Sequence, residues 1–172
     1  MKQTIQDSNF SFDVDRLITQ ENVDKHPRFF RFMEIARAIS ELSNYDKYRL
    51  GAAVILKKQI IGKGFNKAKT HPVQKQYNAM RFDVSDKSRH YIHAETAALN
   101  QVKHLDLTGA ELFVYHTGVN GEQKMARPCA ACMKYAKQLG IKKIHYSTPD
   151  GFATEHISKD NLIFVKRGKK PI

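Results

Sequence analysis

Apolar residues in this chain switch repeatedly between helical and period-two spacing, and that alternation constrains the fold more than any other feature. Phe29, Phe32, Met33, Ala36, Ile39 and Ser40 recur at helical spacing, with Arg28, Arg31, Glu34, Arg37 and Glu41 off the stripe. The pattern predicts a helix that opens at His26-Pro27, where proline's missing N–H costs nothing, and ends near Ser43-Asn44. Two apolar runs, 52–56 and 60–65, are separated by Lys57-Lys58-Gln59 and read as a hairpin. Residues 66–92 are polar, contain Pro72 and read as a long loop of the kind that is usually functional. A helix from His93 to Leu105, a strand at 112–115 and a turn-rich excursion from His116 to Arg127 follow. Pro128-Cys129 then starts a helix that stops at Gly140, a left-handed cap position. Strands are predicted at 144–147 and 162–165, before a basic tail. Helices interspersed with strands in this order predict an α/β layered domain around one mixed central sheet of about five strands.

The chain has 172 residues, enough for one full core. The predicted organisation is a polar N-terminal arm over 1–25, a domain over 26–165 and a basic tail over 166–172. No apolar run approaches the roughly 20 residues that cross a bilayer, and the first residues lack the apolar stretch of a signal peptide. A soluble cytoplasmic protein with no membrane partner is expected. The net charge is +12, unevenly spread: three bases face five acids in residues 1–25, and 26 face 12 over the remainder. Such a body attracts nucleotides, nucleic acid or an acidic partner, although a merely solvated basic surface has the same composition.

Only two cysteines occur, Cys129 and Cys132, at i and i+3 in the first turn of a predicted helix. The pair alone is half of a zinc site or a redox dithiol, with nothing to choose between them. His93-Ala94-Glu95, at another helix start, breaks the tie. One imidazole and two thiolates are three protein ligands, and a three-ligand zinc site keeps a fourth position for a water whose pKa falls to roughly 7. Glu95, two residues past the imidazole, is then placed to carry a proton without binding metal. A carboxylate in the first turn of a helix is also favoured by the dipole alone, so a non-catalytic zinc domain that binds a partner is the competing possibility.

His-x-Glu followed by Pro-Cys-x-x-Cys is the motif pair of zinc deaminases, and over about residues 26–150 the sequence resembles the cytidine and deoxycytidylate deaminase superfamily. The resemblance implies a three-layer α/β/α fold, and zinc as cofactor, held by His93, Cys129 and Cys132, with Glu95 as general acid and base in hydrolytic deamination. It also implies that Gly51-Ala52-Ala53-Val54 is the strand lining the base pocket, which puts Ala53, and Ala94 between the motif residues, among the substrate contacts. Asn66 resembles the asparagine that bonds the substrate's sugar, although asparagine is also a common turn residue at a strand end. A homo-oligomer is implied as well.

Two substrate classes remain. The long segment before His93 resembles that of deoxycytidylate deaminases and carries Lys67, Lys69, His71, Lys75, Arg81, Lys87, Arg89 and His90. Lys69 and His71 are the first candidates for a 5′-phosphate, making the nucleotide dCMP the expected small-molecule substrate. The basic body and the tail Lys166–Lys170 point instead to a polynucleotide, single-stranded DNA or RNA, with a cytosine or adenosine target. Against it, aromatics are sparse in the 117–127 excursion, tryptophan is absent, and the lead-in to Pro-Cys is Met125-Ala126-Arg127.

Overall fold

The computed structural model describes residues 2–7, 10–78 and 90–157. Strands β1 (Gln3–Asp7) and β2 (Phe10–Val14) pair with each other. They lead into β3 (Arg16–Thr19), a 3-10 turn over Gln20–Lys25 and helix α1 (Pro27–Ser40). The hairpin β4 (Arg49–Leu56) and β5 (Gln59–Phe65) follows, then α2 (Pro72–Asn78) and α3 (Ala94–Val102). The last part runs through β6 (Glu111–Thr117), β7 (Gln123–Lys124), α4 (Ala130–Gln138), β8 (Lys143–Thr148) and β9 (Gly151–His156).

The main sheet has the order β3-β9-β8-β6-β4-β5, with the short β7 on β6. It is mixed. Strands β6 and β8 are parallel, joined by a crossover through α4, and the other pairings are antiparallel. Period-two alternation divides the core between its faces. Ala52, Val54, Leu112 and Val114 pack toward α3 and α4, while Ala53, Ile55, Phe113 and Tyr115 pack under α1. The α/β/α layering expected from the sequence is present.

Several local expectations are corrected. Helix α1 ends at Ser40, earlier than Ser43-Asn44, because its last turn tightens: the N–H groups of Leu42 and Ser43 bond the carbonyls of Ile39 and Ser40. The hairpin turn is two residues, Lys57 and Lys58, both at positive φ (49° and 66°) as a twisted two-residue turn needs. Residues 66–92 are not all loop, since α2 lies within them. Within the polar N-terminal stretch, β3 adds an edge to the sheet, with Ile18 buried. The strand expected at 162–165 and the tail 166–172 lie outside the described residues, as do Arg81, Lys87 and Arg89. The neighbour of β8 is β9, whose sequence hides it. Its Thr154 and Glu155 are polar yet buried, because His145 bonds the first and Arg127 and Tyr146 bond the second.

Candidate metal centre

Helix α3 brings the first ligand. Gly62 and Gly64 face it from β5, and a Cβ on Gly64 would meet Ala98 N at 2.5 Å and Ala94 O at 2.8 Å. Bare backbone at these two positions lets the start of α3 sit directly on the sheet. His93 is the N-cap residue of α3, in extended conformation, and its carbonyl accepts the first helical bond, from Ala97. Helix α4 brings the other two ligands. Cys129 is its N-cap and Cys132 lies in its first turn, so both sulfurs sit at the positive end of the helix dipole.

These three residues, distant in sequence, converge. His93 Nδ1 lies 3.6 Å from Cys129 Sγ and 3.4 Å from Cys132 Sγ, and the three ligand atoms are within 4.8 Å of one another. Zinc bonds of about 2.3 Å to sulfur and about 2.0 Å to nitrogen, at a tetrahedral angle, would set N···S separations near about 3.5 Å. The observed spacings fit. The cysteines are not bridged to each other. Cys132 is fully buried, and its hydrogen bond to Cys129, together with burial, pushes its thiol well above the ordinary range. Two adjacent buried sulfurs cannot both carry charge without a cation, so the donor set suits a divalent metal. Thr96 Oγ1 lies 3.6 Å from Cys132 Sγ and is placed to bond the thiolate.

Glu95 is buried (3% exposed) in the first turn of α3, and its carboxylate is near enough to contribute to the rise of the Cys132 thiol. Ala94, also buried, lies between it and His93. The segment 67–71 runs antiparallel to 90–92: Lys67 N–H bonds Ile92 O, Ile92 N–H bonds Lys69 O, and His71 N–H bonds His90 O. Lys69 and His71 are therefore held beside the chain that leads into His93. Lys69 is exposed, whereas His71 is half-buried, with Nδ1 accepting the Val73 N–H at 3.3 Å. Asn66 is buried with both ends of its carboxamide occupied. Oδ1 accepts the Leu50 N–H (2.8 Å) and Nδ2 donates to Tyr48 O (3.0 Å). Ala53 is the candidate not brought to the centre. Its methyl is packed in the α1 layer, on the sheet face away from α3, and its main chain lies between β5 and β6.

Other residues at the centre had no motif to reveal them. Gln74, fully buried in α2, accepts the His93 N–H at 3.1 Å and donates to Asn78 at 2.9 Å. Proline followed by Val-Gln-Lys-Gln-Tyr-Asn, with amides at i and i+4, was the available signal for that helix. Arg127, next to Pro128, forms a bidentate pair with Glu155 (2.7 and 2.9 Å), and Tyr146 donates to the same carboxylate at 2.5 Å. This buried network ties the lead-in of α4 to β9. Tyr45, Tyr48 and Tyr91 form a chain of edge contacts, with ring centroids 4.8 and 6.3 Å apart, ending two residues before His93. Tyr45 and Tyr48 also line a cavity of about 270 Å³ with Ser43, Asn44, Asp46, Arg49 and Val119.

A family model, the cytidine and deoxycytidylate deaminase zinc-binding region, matches residues 29–148. No curated protein matches the chain by sequence. Among solved structures, the dCMP deaminase of cyanophage S-TIM5 in apo form is 25% identical, with a TM-score of 0.51 over 80% of this chain and 91% of that one. The same cyanophage enzyme in complex with dCMP and dUMP gives 23% identity and a TM-score of 0.51, over 70% and 81% of the two chains. Cytidine deaminase from Burkholderia pseudomallei is 16% identical and shares the fold, with a TM-score of 0.54 over 77% of this chain and 94% of that one.

Proposed function

The chain belongs to the cytidine and deoxycytidylate deaminase family, and from that premise we propose that this zinc-dependent deaminase converts dCMP to dUMP and ammonia. The observation that carries the chemistry is the placing of His93 Nδ1 within 3.6 Å of both sulfurs, with Glu95 buried two residues on in the first turn of α3. Zinc bound there supplies a Lewis acid that brings the pKa of its water to roughly 7. Glu95 moves the protons. Its carboxylate takes one from the attacking water and delivers it to N3 of the ring, then carries the second to the departing amino group. A C4–O bond forms, the C4–N4 bond breaks, and nothing is oxidised or reduced. Burial of Glu95 and of Cys132 keeps bulk water from the reacting atoms.

Support for a mononucleotide comes from the basic segment before His93, where the main chain of Lys69 and His71 pairs with that of Ile92 and His90, and from the 25% identity to a dCMP deaminase. Ala94, and the one N–H and one lone pair of the Asn66 carboxamide not used by Tyr48 and Leu50, are the remaining substrate contacts in this reading. A cytoplasmic, reducing compartment suits thiols that must stay unbridged to hold metal. Assembly as a homo-oligomer is part of the same proposal and is read by sedimentation. The net charge of +12 favours a second reading, deamination within a polynucleotide.

Ammonia release by purified protein separates the two, with dCMP, cytidine, single-stranded DNA and adenosine-containing RNA as substrates. Turnover of dCMP and none of the oligomers is expected; the reverse selects the polynucleotide. Glu95→Gln should abolish turnover while zinc stays near one equivalent. Normal turnover by that variant would take the proton-carrying role away from Glu95.

A further inference from the structure

We propose that Gln74 is a positioning residue for the metal centre, its buried carboxamide holding the main chain of His93 so that the imidazole meets the two thiolates. A fully buried glutamine needs partners for both of its ends, and both ends of Gln74 are committed. Oε1 accepts the His93 N–H at 3.1 Å, and Nε2 donates to Oδ1 of Asn78 at 2.9 Å. Asn78 is itself fully buried and reaches His90 Nδ1 at 3.4 Å. The chain of polar contacts therefore touches the segment before α3 at two points, 90 and 93. Ile92, between them, is held from its other side by Lys69 O.

Helix α2 is also tied to the helix that carries the thiolates. The ring of Tyr77 lies 4.9 Å from that of Tyr135 and packs on the cluster of Cys129, Ala131 and Cys132. Its hydroxyl bonds Gln138. One short helix thus touches both the segment that carries the imidazole and the helix that carries the sulfurs. An N–H at the N-cap position has no helical acceptor, so Gln74 is what fixes the direction in which His93 leaves the chain. Partners that orient a ligand are worth about 10–100-fold in metal affinity.

This inference rests on the metal centre and not on the choice of substrate, and metal uptake tests it without turnover. Full-length wild-type protein, Gln74→Met and Gln74→Glu would be titrated with zinc against a chromophoric chelator, and with Co²⁺ followed by its thiolate and d–d absorption. Methionine keeps the volume and removes the acceptor, whereas glutamate keeps an acceptor oxygen. The expected result is about a tenfold or greater loss of zinc affinity and a shifted Co²⁺ spectrum for Q74M, with Q74E restored towards wild type. Q74M binding zinc like wild type, or both variants losing it equally, would overturn the proposal. If Q74M does not fold, hydrogen exchange on the wild-type protein decides: the His93 amide must be protected, and fast exchange there rejects the role. Wild-type protein that takes up no zinc would remove the metal centre itself, a failure distinct from the other two.

Discussion

Asn66 is a proposed substrate contact whose carboxamide the fold itself already uses. A carboxamide offers two N–H groups and two lone pairs, and the main chain at Tyr48 and Leu50 takes one of each. One N–H and one lone pair are left for a sugar hydroxyl. The side chain therefore holds the start of β4 against the end of β5 whether or not substrate is present. Asn66→Ala should lower stability by about 1–3 kcal/mol, the cost of stranding two polar main-chain groups, read as a lower urea midpoint. An unchanged midpoint with a raised KM would make Asn66 a ligand residue alone. The same logic explains which site residues were legible beforehand. His93, Glu95, Cys129 and Cys132 carry chemistry in their side-chain type and spacing. Gln74 and Glu155 do not, because such a polar residue is buried only where a donor 19 or 28 positions away bonds it.

Among the elements, those with a long apolar period were readable, and those without one were missed. The hairpin of β4 and β5, α1 and the start of α4 follow from two apolar runs around a short polar gap, helical spacing and a proline. Helix α2 has seven residues and buries glutamine and asparagine, so no apolar stripe marks it. Strand β9 buries Thr154 and Glu155, which breaks the alternation that would have revealed it. Glycines in β5 look like strand breakers in sequence, yet they are the seat on which the ligand-bearing end of α3 rests. Gly64→Ala would press a methyl against Ala98 N and Ala94 O, lifting the first turn of α3. Overpacking of this kind costs about 1–3 kcal/mol. Metal affinity should fall with it, because His93 and Glu95 ride on that turn. Gly62→Ala instead meets Ala98 O and the Val102 side chain, farther along the helix. It should lower the melting temperature with a smaller effect on zinc uptake. Equal zinc binding by Gly64→Ala and wild type would separate the glycine seat from the metal centre.

At the scale of the whole molecule the excess of cations has to be reconciled with a reaction at one small ring. A net charge of +12 creates a field that concentrates anions and raises their encounter rate, and the effect fades as salt shortens the Debye length to about 8 Å near 0.15 M. The deamination itself is the same for cytidine and for dCMP; only the phosphate feels the field. Steady-state kcat/KM for dCMP should therefore fall as ionic strength rises, while that for uncharged cytidine stays nearly flat. Exposed Lys69, whose main chain pairs with Ile92, is the candidate for the local part of this effect, and Lys69→Ala should flatten the dCMP curve towards the cytidine one. A polynucleotide substrate would behave differently. Its affinity would fall linearly on a log–log plot against salt with a slope of about −0.7 for each phosphate engaged, a steeper dependence than one phosphate ester can produce. Salt-insensitive dCMP turnover beside a steep oligonucleotide slope would assign the charge, and with it the substrate, to the strand.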